Sequence, residues 1–262
     1  MKSYLKRLWP SGWSQQRARR ESQEYRIVRS YPHDHEAFTQ GLAFADDLLY
    51  EGTGLYGRSS VRQVDPDSGK VLRARSLDRK YYGEGITAHG NRLIQLTWKD
   101  RIGFVYSRVS FELIRTFSYS TEGWGITQDT ASLIMSDGSS VLTRLDPTTF
   151  ELCGKIEVRD GHRRVSGLND LQYARGEIYA NVWPTTRVAR ISPRSGRVEG
   201  WIDFAPLVAS ESKNRSTNVL NGIAYNEGKN SFYITGKFWP RLFEIALPKG
   251  GSGSGSNDRE AG

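Results

Sequence analysis

The chain reads Gln40-Gly41-Leu42-Ala43 just ahead of the strand-like run LLYEGTG that begins at Leu48. We call such a segment, a polar residue followed by a small and then an apolar residue, an opening. An opening followed eight to ten residues later by a hydrophobic strand-like run recurs four more times, and successive openings lie 38 to 52 residues apart. The further openings are Glu84-Gly85-Ile86-Thr87, Glu122-Gly123-Trp124-Gly125, Asn169-Asp170-Leu171-Gln172 and Asn221-Gly222-Ile223-Ala224. Repetition at this period, in segments made only of short strands, is typical of propeller blades.

Turn residues separate the strands that this repeat predicts. The first repeat contains Asp65-Pro66-Asp67-Ser68-Gly69, and similar turns begin at Asp146 and Ser192. Proline presets φ for a tight turn and glycine accepts positive φ, so these segments are predicted hairpin corners. The sequence therefore predicts an all-β fold, a five-bladed β-propeller formed by a single domain over residues 25–247. A β-sandwich also alternates strands and turns, but it has no reason to repeat one polar-Gly-apolar signature at blade length.

The charge of the chain lies mainly at one end. The net charge is +8 and the isoelectric point is about 9.6, but residues 1–29 alone hold eight Lys and Arg against two Glu. The remainder is close to neutral, so we expect no nucleic-acid partner. Residues 1–24 are predicted to be a basic N-terminal extension, and the Gly/Ser-rich residues 248–262 to be a flexible, linker-like tail.

Neither a membrane span nor a secretory leader is evident in the chain as given. No apolar run approaches the roughly 18 residues of a membrane span, and the N-terminus lacks the apolar stretch of a signal peptide. We therefore expect no membrane partner. The compartment stays open: cytoplasmic for the chain as written, periplasmic or secreted if a leader has been removed. The single cysteine, Cys153, excludes an intramolecular disulfide and is predicted to be a small buried side chain.

Equivalent positions of propeller blades converge, because the innermost strands of all blades line one central channel. The polar residues of the openings are predicted to share one repeat position: Gln40, Glu84, Glu122, Asn169 and Asn221. The second hydrophobic runs end near Trp98, Trp183 and Lys237. One mouth of the channel should therefore gather amides, carboxylates, a lysine and tryptophans, as a ligand pocket does. A purely structural role, in which these polar groups cap the backbone of neighbouring blades, fits the pattern equally well.

Ten short motifs, read in order, resemble the plant and bacterial type of glutaminyl cyclase. They are FTQGL from Phe38, YEGTGLYGRSS from Tyr50, YGEGIT from Tyr82, QLTW from Gln95, EGWGIT from Glu122, MSDGSS from Met135, LND from Leu168, ANVW from Ala180, LNGIAY from Leu220 and TGKFWP from Thr235. The resemblance covers every repeat. It implies a five-bladed propeller that closes an N-terminal glutamine into pyroglutamate and releases ammonia, acting on peptides or proteins that begin with Gln.

The resemblance also implies an enzyme without a catalytic metal, unlike the zinc-dependent animal glutaminyl cyclases. The sequence agrees, because its four histidines form no HExxH motif and no Cys/His cluster. His33 and His35 lie close together in the sequence, but two ligands in a loop are weak evidence for an ion. We expect no cofactor and a monomeric protein, while a structural cation stays open.

The family's functional residues can be carried over by motif position. Its acid/base carboxylate falls on Glu84, its amide contacts on Gln40 and Asn169, and its lysine on Lys237. Its aromatic walls fall on Phe38, Tyr82, Trp98, Trp124 and Trp183. Glu122 and Asn221 join the predicted substrate-binding residues through their repeat position.

Two features depart from the family's pattern. Tyr82 stands where phenylalanine is common, and the familiar Asn-Glu-Leu-Glu run reads Asn169-Asp170-Leu171-Gln172. The second departure shortens one carboxylate and neutralises another. Any ion or loop contact that depends on the acidic pair is therefore in doubt.

These groups suit an intramolecular cyclisation. One carboxylate can take a proton from the attacking α-amine and pass it to the departing nitrogen, and Glu84 is predicted to do so, with Glu122 as competitor. Gln40, Asn169 or Lys237 would stabilise the negative charge on the side-chain carbonyl oxygen. The tryptophan walls would hold amine and carbonyl together.

Two other functions are compatible with a propeller. A non-enzymatic platform would bind proteins at its rim and release no ammonia. A calcium-dependent hydrolase or lactonase would need inward carboxylates from several blades, whereas three of the five predicted channel positions carry amides. The predicted function is therefore that of a glutaminyl cyclase.

Overall fold

The predicted five-bladed propeller is confirmed. The computed structural model describes residues 22–211 and 219–248, and their strands form five four-stranded antiparallel sheets, together with one two-stranded ribbon. The innermost strands of successive sheets contact one another in a closed ring, and the fifth meets the first. The basic extension (1–24) and the Gly/Ser-rich tail (248–262) lie almost wholly outside the described residues.

Each blade is a sheet of four strands in which neighbours along the chain pair, except where the ring closes. The chain begins with β1 (Arg26–Pro32). Blade one holds β2 (Thr39–Ala45), β3 (Leu48–Thr53), β4 (Ser60–Val64) and β5 (Val71–Ser76); blade two holds β6 (Gly83–His89), β7 (Arg92–Thr97), β8 (Ile102–Ser107) and β9 (Leu113–Ser118); blade three holds β10 (Ile126–Gln128), β11 (Leu133–Met135), β12 (Val141–Leu145) and β13 (Leu152–Glu157). The ribbon of β14 (Arg159–Asp160) and β15 (Arg163–Arg164) follows. Blade four holds β16 (Leu168–Ala174), β17 (Glu177–Val182), β18 (Arg187–Ile191) and β19 (Val198–Asp203); after α1 (Ala205–Glu211), blade five holds β20 (Leu220–Asn226), β21 (Ser231–Gly236) and β22 (Arg241–Ala246).

The N-terminal strand closes the ring, a feature that the repeat pattern does not reveal. β1 pairs antiparallel with β22 and becomes the outermost strand of blade five. Across this pair the hydroxyl of Tyr31 donates a 2.6 Å hydrogen bond to Glu244. Just beyond β1, the buried imidazole of His33 lies 2.7 Å from the carbonyl of Trp239 in blade five and 3.1 Å from Glu51 in blade one. The start of the chain thus ties the last blade to the first.

The core lies between the blades, and the outermost strands of four blades are mostly exposed, whereas β19 of blade four is mostly buried. The inner strands each contribute a fully buried aliphatic residue to this core: Leu42, Ile86, Ile126, Leu171 and Ile223. The predicted burial of Cys153 is wrong, since this residue is exposed on β13, the outermost strand of blade three. The sequence of a strand does not show how far the strand lies from the channel. A strand at the outer edge of a blade can face solvent on one side, and its side chains on that side are then exposed.

The inner strands approach one another most closely at a ring of small residues that precede these aliphatic side chains. The positions are Gly41, Gly85, Gly125, Asp170 and Gly222. A Cβ atom at Gly85 would lie 2.7 Å from the Cα atom of Gly125, and one at Gly125 would lie 2.1 Å from the carbonyl oxygen of Asn169. Neighbouring backbones therefore touch where only glycine fits.

This contact predicts the effect of adding one methyl group. Gly125→Ala should lower the free energy of unfolding by about 2 to 3 kcal/mol, because the clashing atoms are backbone and cannot move away. Gly154→Ala in β13 of the same blade is the matched control, since its Cβ would meet only the flexible Arg144 side chain at 3.4 Å. That variant should change stability by less than about 0.5 kcal/mol. Urea unfolding of both variants measures the difference, and equal losses would contradict the assigned contact.

Candidate active site

Five equivalent residues surround one mouth of the channel. The buried aliphatic residues of the inner strands pair with the second strands, as Ile86 does with Gln95 and Ile126 with Met135. The residue two positions before each of these aliphatic residues is polar in four blades and a tryptophan in blade three. These equivalent residues are Gln40, Glu84, Trp124, Asn169 and Asn221. The predicted equivalence of Glu122 with Glu84 is therefore wrong by two residues, because Trp124 occupies that place in blade three.

Backbone irregularities bring these side chains to the mouth. The pairing of β6 with β7 shifts register between Gly83 and Ile86, and blades one, four and five have a comparable shift at the same place. Such bulges re-aim side chains at the end of a sheet. The amide of Gly85 bonds instead to the carbonyl of Trp124 in the next blade, at 2.9 Å. Glu84 lies in this irregular segment, and its buried carboxyl group interacts with the charged groups of Lys237, Glu122 and Asp170.

Aromatic rings from three blades form one side of the rim. Phe38 packs edge-on against Phe238 at 5.1 Å between ring centroids, and lies 6.4 Å from Tyr82. Tyr82 packs against Trp98 at 5.5 Å. The ammonium of Lys237 lies 4.5 Å from the centre of the Phe38 ring. This wall therefore runs from blade five through blade one to blade two.

Two tryptophans form the other side. Trp124 and Trp183 pack edge-on with centroids 5.9 Å apart. The carboxylate of Glu122 joins the two walls, because one of its oxygens, Oε2, accepts hydrogen bonds from the indole nitrogens of Trp98 at 2.7 Å and Trp124 at 3.1 Å. The aromatic side chains are half-buried, so the rim opens to solvent above a buried floor.

The floor holds three buried ionisable groups: Glu84, Asp170 and Lys237. Burial raises the pKa of Glu84 well above its usual range, and the negative charges of Glu122 and Asp170 add to this rise, while Lys237 opposes it. Burial also lowers the pKa of Lys237 to about 8, although Glu84 and Asp170 pull it upward. Both shifts bring the pKa of an acid and of a base towards neutrality, which is the range that proton transfer requires.

Asp170 is a site residue whose place in the molecule the sequence did not reveal. It is the only non-glycine member of the ring of small residues, and its Oδ2 atom accepts the backbone N–H of Ile223 at 2.8 Å and of Leu42 at 3.3 Å. Burial raises the pKa of its carboxyl group, against the opposing effect of these N–H groups. Asp170 thus links blades four, five and one beneath the mouth. The one visible signal was an aspartate where the repeat otherwise has glycine.

The amides of the floor differ in their partners. Asn221 is fully buried, and its Nδ2 group donates to the backbone carbonyls of Thr39 and Gln40 at 3.1 Å, so it ties blade five to blade one. The Oδ1 atom of Asn169 is buried without a hydrogen-bond partner in the described part of the chain. The Oε1 atom of Gln40 accepts a hydrogen bond from the Nδ2 group of Asn221 at 3.4 Å. The Oδ1 atom of Asn221 also lacks a partner in the described residues. Because the Nδ2 group of Asn221 is bound between two blades, Asn169 is the amide better placed to receive a donor from a ligand.

The structure brings most of the predicted site residues together. The rim contains Phe38, Tyr82, Trp98, Trp124 and Trp183, and the floor contains Gln40, Glu84, Asn169 and Lys237. Glu122 lies between the indoles of Trp98 and Trp124, and Asn221 lies beneath the mouth. Phe238 extends the rim and was not foreseen. Within residues 22–211 and 219–248, no three His, Cys, Asp or Glu side chains are grouped as metal ligands, and no helix is long and apolar enough to cross a membrane.

Known proteins resemble this chain in sequence and in fold. A family model described as glutamine cyclotransferase matches residues 5–247. A glutaminyl-peptide cyclotransferase of Arabidopsis thaliana is 43% identical over 237 residues, which cover 89% of this chain and 74% of the relative. The crystal structure of Myxococcus xanthus glutaminyl cyclase matches with a TM-score of 0.81 and 37% identity, covering 85% of this chain and 96% of that one. Both similarities extend over most of the propeller.

The contacts of Asp170 predict two different losses of stability. Asp170→Ala should lower the free energy of unfolding by about 2 kcal/mol or more, because it leaves two buried N–H groups without an acceptor. Asp170→Asn should cost clearly less, since its amide oxygen can still accept them. Chemical denaturation compares the variants. If alanine and asparagine cost the same, the carboxylate does not join the blades as described.

Proposed function

The chain is an enzyme of the glutamine cyclotransferase family, and from its channel mouth we propose that it closes the N-terminal glutamine of a peptide or protein into pyroglutamate and releases ammonia. Membership of this family confirms the predicted resemblance and leaves the non-enzymatic platform without support. The observation that carries the proposed chemistry is the burial of two ionisable side chains of opposite type, Glu84 and Lys237, beneath an aromatic rim.

The aromatic rim would fold the substrate. The reaction joins the α-amine of glutamine to its own side-chain carbonyl carbon, so the side chain must curl back on the amine. Holding the two groups in contact contributes up to about 7 to 11 kcal/mol in the best intramolecular models. The walls on two sides, Tyr82 with Trp98 and Trp124 with Trp183, would enclose the curled side chain between them.

Glu84 would move the proton. As the new C–N bond forms, the α-amine must lose a proton, and the departing nitrogen must gain one to leave as ammonia. One carboxylate between them serves both transfers, first as base and then as acid. The raised pKa of Glu84 suits both tasks better than an ordinary carboxylate would. Glu122 is less suited, because its carboxylate already accepts two indole hydrogen bonds.

Lys237 would stabilise the charge that develops on the carbonyl oxygen. Its ammonium is buried at the floor, where a fixed donor acts more strongly than it does in water. The unpaired Oδ1 atom of Asn169 would accept a hydrogen bond from the substrate amine and orient it for attack. Gln40, which is buried in the floor, would contact the substrate from blade one.

Neither a metal nor a second subunit is needed in this scheme. We propose that the enzyme works without a bound metal, because every step is assigned to a side chain of the floor and rim. We also propose that the monomer is the active form.

The test of this function is turnover of a peptide that begins with Gln, followed by ammonia release and by the mass loss of cyclisation. We expect activity in the presence of a chelator. Glu84→Gln should lower kcat by about 100-fold or more, because the amide cannot transfer the proton. Glu227→Gln, at an exposed position, is the control and should keep full activity.

Thermal unfolding of the same variants separates chemistry from folding. Glu84→Gln should stay folded at the assay temperature but unfold somewhat below the wild type, because it leaves the buried Lys237 with only one carboxyl neighbour, Asp170. A wild-type protein that releases no ammonia would sink the proposal. Activity abolished by the chelator and restored by metal would contradict the metal-free scheme, and a nearly normal rate for Glu84→Gln would exclude it as the shuttle.

The pKa of Lys237 predicts the alkaline side of the pH profile. An amine whose pKa is lowered to about 8 is charged below that pH and neutral above it, so kcat/KM should fall above about pH 8 as the ammonium is lost. Lys237→Arg keeps its charge, and its residual activity should persist to higher pH. Lys155→Arg on an outer strand is the control. An unchanged alkaline limb in Lys237→Arg would show that another group causes the decline.

A further inference from the structure

We infer that Glu122 is a positioning residue that holds the two indole walls at a fixed separation, so that the pocket accepts the glutamine side chain in one curled form. The inference rests on the proposed function and deepens it. It also assigns a different role to Glu122, which the sequence predicts as a competitor of Glu84 for proton transfer.

The contacts of Glu122 are directed at the rim. A single oxygen accepts both the Trp98 and the Trp124 indole N–H groups, at 2.7 and 3.1 Å. An indole nitrogen can only donate, so each ring needs an acceptor to define its orientation. Bonds to an ionised acceptor are also shorter and stronger than neutral ones. One carboxylate oxygen therefore fixes the orientation of two rings from neighbouring blades.

The backbone around Glu122 is itself held in place. The N–H of Gly123 donates to the carbonyl of Trp98 at 3.0 Å, so the loop before β10 is attached to the residue that carries one of the two indoles. On its other side, the N–H of Trp124 donates to the carbonyl of Ser136 at 2.9 Å. The carboxylate thus extends from a fixed backbone, and the indole separation follows from the length of its side chain.

No other described contact joins the two walls directly. Trp98 packs on Tyr82 and lies beneath the ammonium of Lys99 at 4.0 Å, whereas Trp124 packs on Trp183. Each ring therefore has neighbours on its own side, and Glu122 spans the gap. Without this link each wall could tilt independently, and a displacement of about 1 Å in a positioning group can cost on the order of 100-fold in rate.

Two substitutions separate position from charge. Glu122→Gln keeps the length of the side chain and an oxygen with two acceptor sites, but loses the charge. Glu122→Asp keeps the charge but is one methylene shorter, so it cannot reach both rings from the same backbone. If Glu122 acts by position, the glutamine variant should retain kcat/KM within about threefold, and the aspartate variant should lose about tenfold or more, chiefly in kcat.

The indole N–H resonances of Trp98 and Trp124 provide a readout that needs no activity. In ¹H–¹⁵N spectra both signals should stay close to their wild-type positions in Glu122→Gln and move in Glu122→Asp. Both variants should unfold within a few degrees of the wild type, because the rim lies outside the core between the blades.

The opposite order of activity would overturn the inference. If Glu122→Asp is active and Glu122→Gln is not, the charge matters and Glu122 belongs to the proton-transfer groups. If both keep full activity while the indole signals move, the rings are bound by Glu122 but their positions do not matter. Failure of the proposed function is recognised separately, because the wild-type protein would then show no turnover while its indole signals still responded to Glu122→Asp.

Discussion

The backbones of five inner strands touch around the channel, with only hydrogen atoms between them at Gly85 and Gly125. This contact sets the spacing of the blades and hence the width of the mouth above them. It also explains why the inner strands leave regular pairing just there, since the bulged residues reach across to the next blade instead of to their own sheet. The polar groups of the floor therefore owe their position to a steric constraint.

Burying a lysine and two carboxyl groups in this floor is costly, because each charge loses its hydration. The cost is reduced by mutual attraction between Lys237 and the carboxyl groups, and by the backbone N–H groups that bond to Asp170. The part of the desolvation cost that is not offset shifts the pKa values of these groups: the pKa of Glu84 rises, and that of Lys237 falls to about 8. The same burial that weakens the fold locally prepares an acid and a base for work near neutral pH.

The repeat predicted most of the floor because equivalent residues of propeller blades converge, whereas the aromatic rim was predicted chiefly from the resemblance to the glutaminyl cyclases. It misplaced Glu122 for a specific reason: the run Glu122-Gly123-Trp124-Gly125 contains two glycines, and the polar-Gly-apolar pattern fits the wrong one. The pairing of Ile126 with Met135 identifies Trp124 as the equivalent of Glu84. The Gly-Ile-Thr run that follows both residues agrees with this alignment. The pattern also showed that Asp170 departs from glycine, but not that it accepts N–H groups from residues 53 and 128 positions away in the chain.

The sequence by itself determined the number of blades, the strands that form them and the residue types gathered at the channel, because local periodicity and turn chemistry repeat within each blade. The tertiary structure decided how the ring closes through β1, which carboxylate faces the pocket and which one holds the tryptophans. These features depend on contacts between different blades, and residues that meet there are far apart in the chain. A repeat pattern records what the blades share, whereas an active site is made from the positions at which they differ.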